Sequence, residues 1–286
     1  MQTAFEVEEG KYGPRLIVRS VWQSEIAEYI HRHQIKELEL NYAKGWKGEE
    51  LGFLFSIPHL EAFKIIDWKI NDISPIHNLN KLRTLEVSTY CKTEIDFLSF
   101  PNLEECTLQW RPKAKSLFKS KNLKTLFLNR YTGKDTASFS ALVGLQSLSL
   151  ANCPVRDLDG LKTLKGLSFL SLYRLRKLES ISGVAELPNL KALEINVCRA
   201  IRRIDGIVKL SQLRRLELND DGDLDSLAGI EALQSLESFL FYGTTNIVDG
   251  NLSPLTKLKK LSKLSFRDRK HYSHKLSDFS HQLVNS

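Results

Sequence analysis

Leu145-Gln-Ser-Leu-Ser-Leu150, Leu167-Ser-Phe-Leu-Ser-Leu172 and Leu190-Lys-Ala-Leu-Glu-Ile195 are one pattern, Leu-x-x-Leu-x-Leu, repeated at intervals of 22 and 23 residues. The same unit starts at Ile35, Leu60, Leu82, Leu103 and Leu123 on the N-terminal side, and at Leu213, Leu236 and Leu261 on the C-terminal side. The eleven starts lie 20 to 25 residues apart, a regularity that marks a repeat architecture.

Within the unit the fourth and sixth positions are apolar and alternate with more polar neighbours, the signature of a strand with one buried face. After each strand, apolar residues return at every third position. Ile70, Ile73, Ile76 and Leu79 form one such row, and Val155, Leu158, Leu161 and Leu164 another. The row recurs as Leu178, Ile181, Val184 and Leu187, and as Ile201, Ile204, Ile207 and Leu210. A three-residue period suits short 3₁₀ turns or extended three-fold segments, and so short a repeat leaves little room for a long return helix.

One unit cannot bury both its strand face and its return face, so it is stable only when stacked on neighbours. At about 4.8 Å per strand, the repeats predict a curved parallel sheet of about eleven strands, roughly 50 Å wide, with the sheet on the inside of the curve. The pattern resembles the leucine-rich-repeat superfamily. Its spacing looks most like the short, 22-residue class of internalins and phosphatase-regulating repeat proteins. The resemblance covers residues 35–269 and implies an α/β leucine-rich-repeat solenoid that binds a partner on its concave face. The chain departs from the family at the ninth position, where asparagine usually bonds the turn backbone. That position holds Trp68, Tyr90, Arg111, Tyr131, Cys153, Leu175, Cys198, Asp221 and Thr244. Cysteine is a family alternative there; the large residues leave the regularity of the N-terminal half open. Trp68, Tyr90 and Tyr131 are expected to pack.

A stack must cover its two apolar ends. Residues 1–34 read as a cap: a hairpin over 4–20, then a helix carrying Ile26, Tyr29, Ile30 and His33 on one face, with Ser20 and Gln23 as a capping box. Residues 270–286, with Leu276, Phe279 and Leu283, are expected to form a short closing helix or a tail. No linker composition intervenes, so a single domain is expected.

Hydrophobic residues at 42% and charged residues at 26% argue against wholesale disorder. No apolar run approaches the roughly 18–20 residues that cross a bilayer. The first residues lack the layout of a secretion signal. The four cysteines, Cys91, Cys106, Cys153 and Cys198, form no Cys-x-x-Cys motif and read as packing residues. A cytoplasmic protein, monomeric when free, is the expectation. Residues 1–110 carry 12 Lys/Arg against 17 Asp/Glu, and residues 111–286 carry 29 against 17. The basic C-terminal part favours a partner with an acidic surface.

Catalytic and cofactor motifs are missing. Gly160-Leu-Lys-Thr-Leu-Lys-Gly166 lacks the Gly-Lys-Ser/Thr ending of a phosphate loop. Glu217, Asn219 and Asp221 alternate as calcium ligands would, but Ala228 stands where a closing glutamate is needed. His31 with His33, and His271 with His274, read as exposed residues on capping elements. No enzyme activity, cofactor or metal is expected.

Strand positions three, five and seven face away from the core. They display Glu37, Glu39, Lys64, Glu86 and Glu105 early, and Leu240 and Tyr242 late. Between them lie Phe127, Asn129, Phe169, Tyr173, Asn196 and Arg215, with Trp110, Arg130 and Arg174 at position eight on the edge. Trp110, Phe127, Phe169 and Tyr173 are bulky where the fold asks for no bulk, so they are candidate anchors for a protein partner. The alternative is that they stack on one another along the sheet. Arg174, Arg176, Lys177, Arg199, Arg202, Arg203, Arg214 and Arg215 form a basic cluster over three repeats. It is either a polyanion or RNA contact or a solvated rim beside Asp220, Asp221, Asp223 and Asp225. The acidic N-terminal face disfavours a continuous nucleic-acid track. An inhibitor or immunity-type protein that occludes its partner is the leading expectation.

Overall fold

The structure, a computed structural model, describes residues 4–280 and divides into two compact units between Leu128 and Asn129. Among the described residues, each of the eleven repeats has a strand that begins two residues after the start read from its leucines.

In the first unit β1 (Phe5–Glu9) and β2 (Pro14–Val18) form an antiparallel hairpin, followed by α1 (Ser24–Arg32). The coil strands are β3 (Glu37–Asn41), β4 (Ala62–Ile66), β5 (Thr84–Ser88), β6 (Glu105–Gln109) and β7 (Thr125–Asn129), the last ending at the division. From β2 to β6 neighbours pair in parallel with leucine positions in register: Leu16, Leu38, Phe63, Leu85 and Cys106 form one row. Leu16, Ile17 and Val18 are fully buried, as are Ile26 and Ile30 one helical turn apart on α1. The expected capping box does not form. The helix starts behind Gln23, whose side chain makes no cap, and the Ser20 hydroxyl donates instead to the Ala4 and Val21 carbonyls.

In the second unit the coil strands are β8 (Ser147–Ala151), β9 (Phe169–Tyr173), β10 (Ala192–Asn196) and β11 (Arg215–Asn219). A two-residue strand β12 (Asp223–Leu224) precedes β13 (Ser238–Phe241), and another, β14 (Asn246–Ile247), pairs with β12 and precedes β15 (Lys263–Phe266). Leu148, Leu170, Leu193, Leu216, Phe239 and Leu264 face one another across successive parallel strands. The three-residue rows are buried too, and 3₁₀ helices at Asp159–Thr163, Ser182–Glu186 and Asp205–Lys209 carry them. These return segments nearly touch: a Cβ on Gly160 would lie 2.0 Å from the Thr136 carbonyl oxygen, and one on Gly183 2.3 Å from that of Leu158. Gly160 is therefore a packing glycine. At the C-terminal end a 3₁₀ helix, Leu276–Phe279, buries Phe279 against the Phe266 ring. Leu283 lies outside the described residues.

The two units leave their strands differently. In the second, position eight turns left-handed in every coil from Arg130 through Asn152, Arg174, Val197 and Asp220 to Gly243. The N–H of each of the first five donates to the next coil, from Arg130 to Ala151 O at 2.8 Å through to Asp220 to Tyr242 O at 3.2 Å. The turn throws position eight toward solvent and position nine inward, burying Tyr131, Cys153, Leu175, Cys198 and Asp221. In the coil of β13 the inward residue is Thr245 rather than the expected Thr244.

In the first unit, position eight is not left-handed, and Asp67 and Thr89 at that place are buried. The Asp67 carboxylate accepts from the Lys69 and Ile70 amides, which is the turn-bonding task expected of position nine. Trp68 and Tyr90 are therefore turned out, 40% and 61% exposed, contrary to the expectation that they pack. Arg111 goes inward and donates to Thr89 Oγ1 at 2.9 Å and to Cys91 Sγ at 3.2 Å.

Left-handed backbone costs an L-residue roughly 1–2 kcal/mol, less for asparagine, and is worst for a β-branched side chain. Val197, at φ 62°, carries that strain. Val197→Asn is expected to raise stability by about 1 kcal/mol in denaturant titration. A lower midpoint would show that apolar contacts of Val197 outweigh the strain.

Candidate partner-binding faces

In the second unit the register places each face residue beside known neighbours. Phe169 lies between Ser147 and Ala192, and Tyr173 between Ala151 and Asn196. The flanking side chains are short, so both rings stand above their surroundings. Neither meets another ring among the described residues. Phe169 is half-buried; Tyr173 is 40% exposed, with the Arg174 guanidinium 5.1 Å from its ring centre. Tyr242 is also exposed. The polar candidates serve the fold as well. Asn129 Oδ1 accepts from Asn152 at 2.8 Å, and Asn196 Oδ1 accepts from Asn219 at 2.9 Å, so side-chain amides bridge adjacent coils.

The basic cluster falls into two parts. Arg215 lies between Glu194 at 3.0 Å and Glu217 at 2.6 Å, and its hydrogen bond to Glu217 raises its pKa. Arg202 pairs with Asp223 and Asp225, Arg203 with Asp205, and Arg214 with Glu237. These arginines are neutralised in place. Arg174, Arg176 and Lys177 make no ion pair among the described residues, and Arg199 donates only to the Asp220 carbonyl. They line two adjoining clefts, one completed by Asn152, Cys153 and Pro154 and the other by Val197. No carboxylate lines either cleft.

The first unit corrects two expectations. Trp110 is buried, 9% exposed, against Phe118, because its coil turns position eight inward; it offers no surface to a partner. Phe127 is half-buried on the strand face. Glu37 and Glu39 are only 1% exposed, and the β1–β2 turn folds over Glu37. Glu37 accepts from the Tyr12 amide and pairs with Arg15, while Glu39 is held by Lys44 and Lys64. Tyr12 reaches Thr84 at 2.9 Å, and Lys11 pairs with Glu105. The acidic face expected here is thus largely covered and neutralised.

All four cysteines are free and buried, and burial pushes the Cys153 thiol up to about 11 and that of Cys198 to about 12, which leaves them inert. His271 bonds the Ile247 carbonyl and His274 the Ser273 hydroxyl. Among the described residues no group of three or more His, Cys, Asp or Glu side chains is placed to hold a metal ion, and no helix is long and apolar enough to cross a membrane.

This geometry is that of a leucine-rich-repeat solenoid, and solved structures share it. An internalin (InlF) from Listeria monocytogenes superimposes with a TM-score of 0.66 at 20% identity, over 90% of this chain and 83% of that one. Internalin C2 from the same organism gives 0.51 at 17% identity, over 75% and 84%. The ectodomain of the Arabidopsis receptor kinase HAESA, in complex with a peptide hormone ligand, gives 0.55 at 18% identity, over 76% of this chain and 43% of that one. The sequence matches no protein-family model and no curated protein.

Asp221 places a buried carboxyl at the ninth position of its coil. Its Oδ1 accepts from the Cys198 amide at 2.7 Å, while Oδ2 is buried with no partner. Burial raises its pKa to about 8. An unfolded aspartate ionises near about 3.9, so the folded state holds the proton more tightly. Stability is full below that pH and falls as pH rises toward about 8. Asp221→Asn keeps the acceptor and removes the charge. It should flatten the stability profile across this window and raise stability at pH 8 by on the order of 1–3 kcal/mol. Parallel pH profiles for the two proteins would contradict this.

Proposed function

We propose that this chain is a non-enzymatic protein-binding module whose partner docks on the strand face of residues 129–286 around Phe169 and Tyr173. The observation that carries the reading is two large rings raised between short neighbours, where the core has no use for them. Aromatic side chains shed much hydration for little lost entropy, which is why they anchor interfaces. Arg174, Arg176 and Lys177, left unpaired beside Tyr173, favour a partner with an acidic surface and speed its approach. The peptide ligand of the HAESA ectodomain supports a polypeptide partner. The four free cysteines support a reducing, cytoplasmic setting. A module of this kind, monomeric when free, acts by covering its partner's surface, as an inhibitor or immunity-type protein does. An RNA track is the weaker reading, because Arg202, Arg203, Arg214 and Arg215 are already ion-paired.

Affinity capture from native lysate with the wild type and with Phe169→Ala/Tyr173→Ala tests the site. The double variant should keep its thermal midpoint within a few degrees and recover about tenfold less partner. Equal recovery would remove this face as the binding site. Nuclease-sensitive capture that decays steeply with salt would point to RNA instead.

A further inference from the structure

We infer that residues 1–128 carry a second docking surface, formed by the ring row Tyr42, Trp68 and Tyr90 and the lysines Lys69, Lys92 and Lys113. Its occupant is an extended polypeptide segment bearing carboxylates beside aromatic or aliphatic side chains. The inference rests on reading the chain as a protein-binding module, but it uses other residues than Phe169 and Tyr173.

Three successive coils each put one ring into solvent: Tyr42 at 50%, Trp68 at 40% and Tyr90 at 61% exposure. The rings adjoin, with centres 6.0 Å apart from Tyr42 to Trp68 and 4.5 Å from Trp68 to Tyr90. The fold does not require them. The inward places in these turns are filled by Asn41, Asp67 and Thr89: Asn41 and Asp67 accept from local amides, and Thr89 accepts from Arg111 of the next coil. A contiguous apolar strip rimmed by charge marks an interaction surface in a way that single exposed rings do not.

The chemistry of the occupant follows from the rim. Lys69, Lys92 and Lys113 are exposed, one per coil, and make no ion pair among the described residues. Lys44, in the first of these coils, is already held by Glu39. Exposed lysines that follow the rings along the chain, Lys69 directly after Trp68 and Lys92 two residues after Tyr90, complement a partner that sets carboxylates next to apolar side chains, as alternation along an extended peptide does. A nucleic acid fits less well. The rings contact each other too closely to admit a base between them.

Trp68 is the reporter. Trp46 and Trp110 are buried, and Trp22 is half-buried and stacked on Phe53, so Trp68 dominates acrylamide-quenchable fluorescence; Trp68→Phe gives the background. With excitation beyond tyrosine absorption, the full chain is titrated with a random glutamate–tyrosine copolymer, with poly-glutamate and with oligo-dT. The copolymer should reduce quenching of the Trp68 component about twofold or more, and poly-glutamate much less. Tyr42→Ala/Tyr90→Ala, which keeps the reporter, should weaken copolymer binding about tenfold. Phe169→Ala/Tyr173→Ala should leave it unchanged, so that failure here and failure of the first face are separable. No shielding by the copolymer, equal shielding by oligo-dT, or unaltered binding to Tyr42→Ala/Tyr90→Ala would each overturn the proposal.

Discussion

A coil of this length has two apolar rows and only its neighbours to cover them. Everything else in the structure follows from that constraint. Leu148, Leu170, Leu193 and Leu216 are fully buried because each faces its counterpart one strand away, in register. Removing one coil would expose the rows on both sides of it. The same constraint explains the ends. β2 and α1 close one side with Leu16, Ile17, Val18, Ile26 and Ile30, and Phe279 closes the other against Phe266. It also sets the opposite strand face apart, where side chains point away from the two apolar rows.

In the coils of β4 and β5 and in those of β7 to β11, one backbone torsion separates the side chains that reach solvent at the strand exit from those that turn inward. Where position eight is left-handed, as at Arg174 and Asp220, position nine turns inward. Where it is not, as at Asp67 and Thr89, position eight is buried and Trp68 and Tyr90 are displayed. A difference of one place thus moves bulky aromatics between core and surface, much as a register slip exchanges the faces of a strand. The inter-coil hydrogen bonds from Asn152, Arg174 and Val197 hold the left-handed exit and resist its strain.

The sequence makes the periodic part of this fold legible and leaves the aperiodic part hidden. Strand positions follow from leucine spacing because register errors would expose a whole row, and the 3₁₀ returns follow from the three-residue period. The hairpin is legible from its Glu9-to-Pro14 turn, but its reach over Glu37 is not, since that contact joins distant segments; Lys11 and Arg15 in or beside the turn were the available hint. The exposure of Trp68 and Tyr90 runs against the expectation that these ninth-position residues pack, and the burial of Trp110 against its placement at the edge of the strand face. Asp67 and Thr89, short polar residues able to bond a turn one place early, carried the contrary signal. On the strand face, Phe169 and Tyr173 were identifiable from alternation, while the neutralisation of Arg215 needed the positions of Glu194 and Glu217.

Hydroxyl-radical footprinting of the native chain, read residue by residue by mass spectrometry, tests the central claim that the strand exits partition the aromatic side chains. The account predicts rapid labelling of Trp68, Tyr90 and Tyr173 and strong protection of Trp110 and Tyr131. Protection of Trp68 and Tyr90 together with labelling of Trp110 would contradict it.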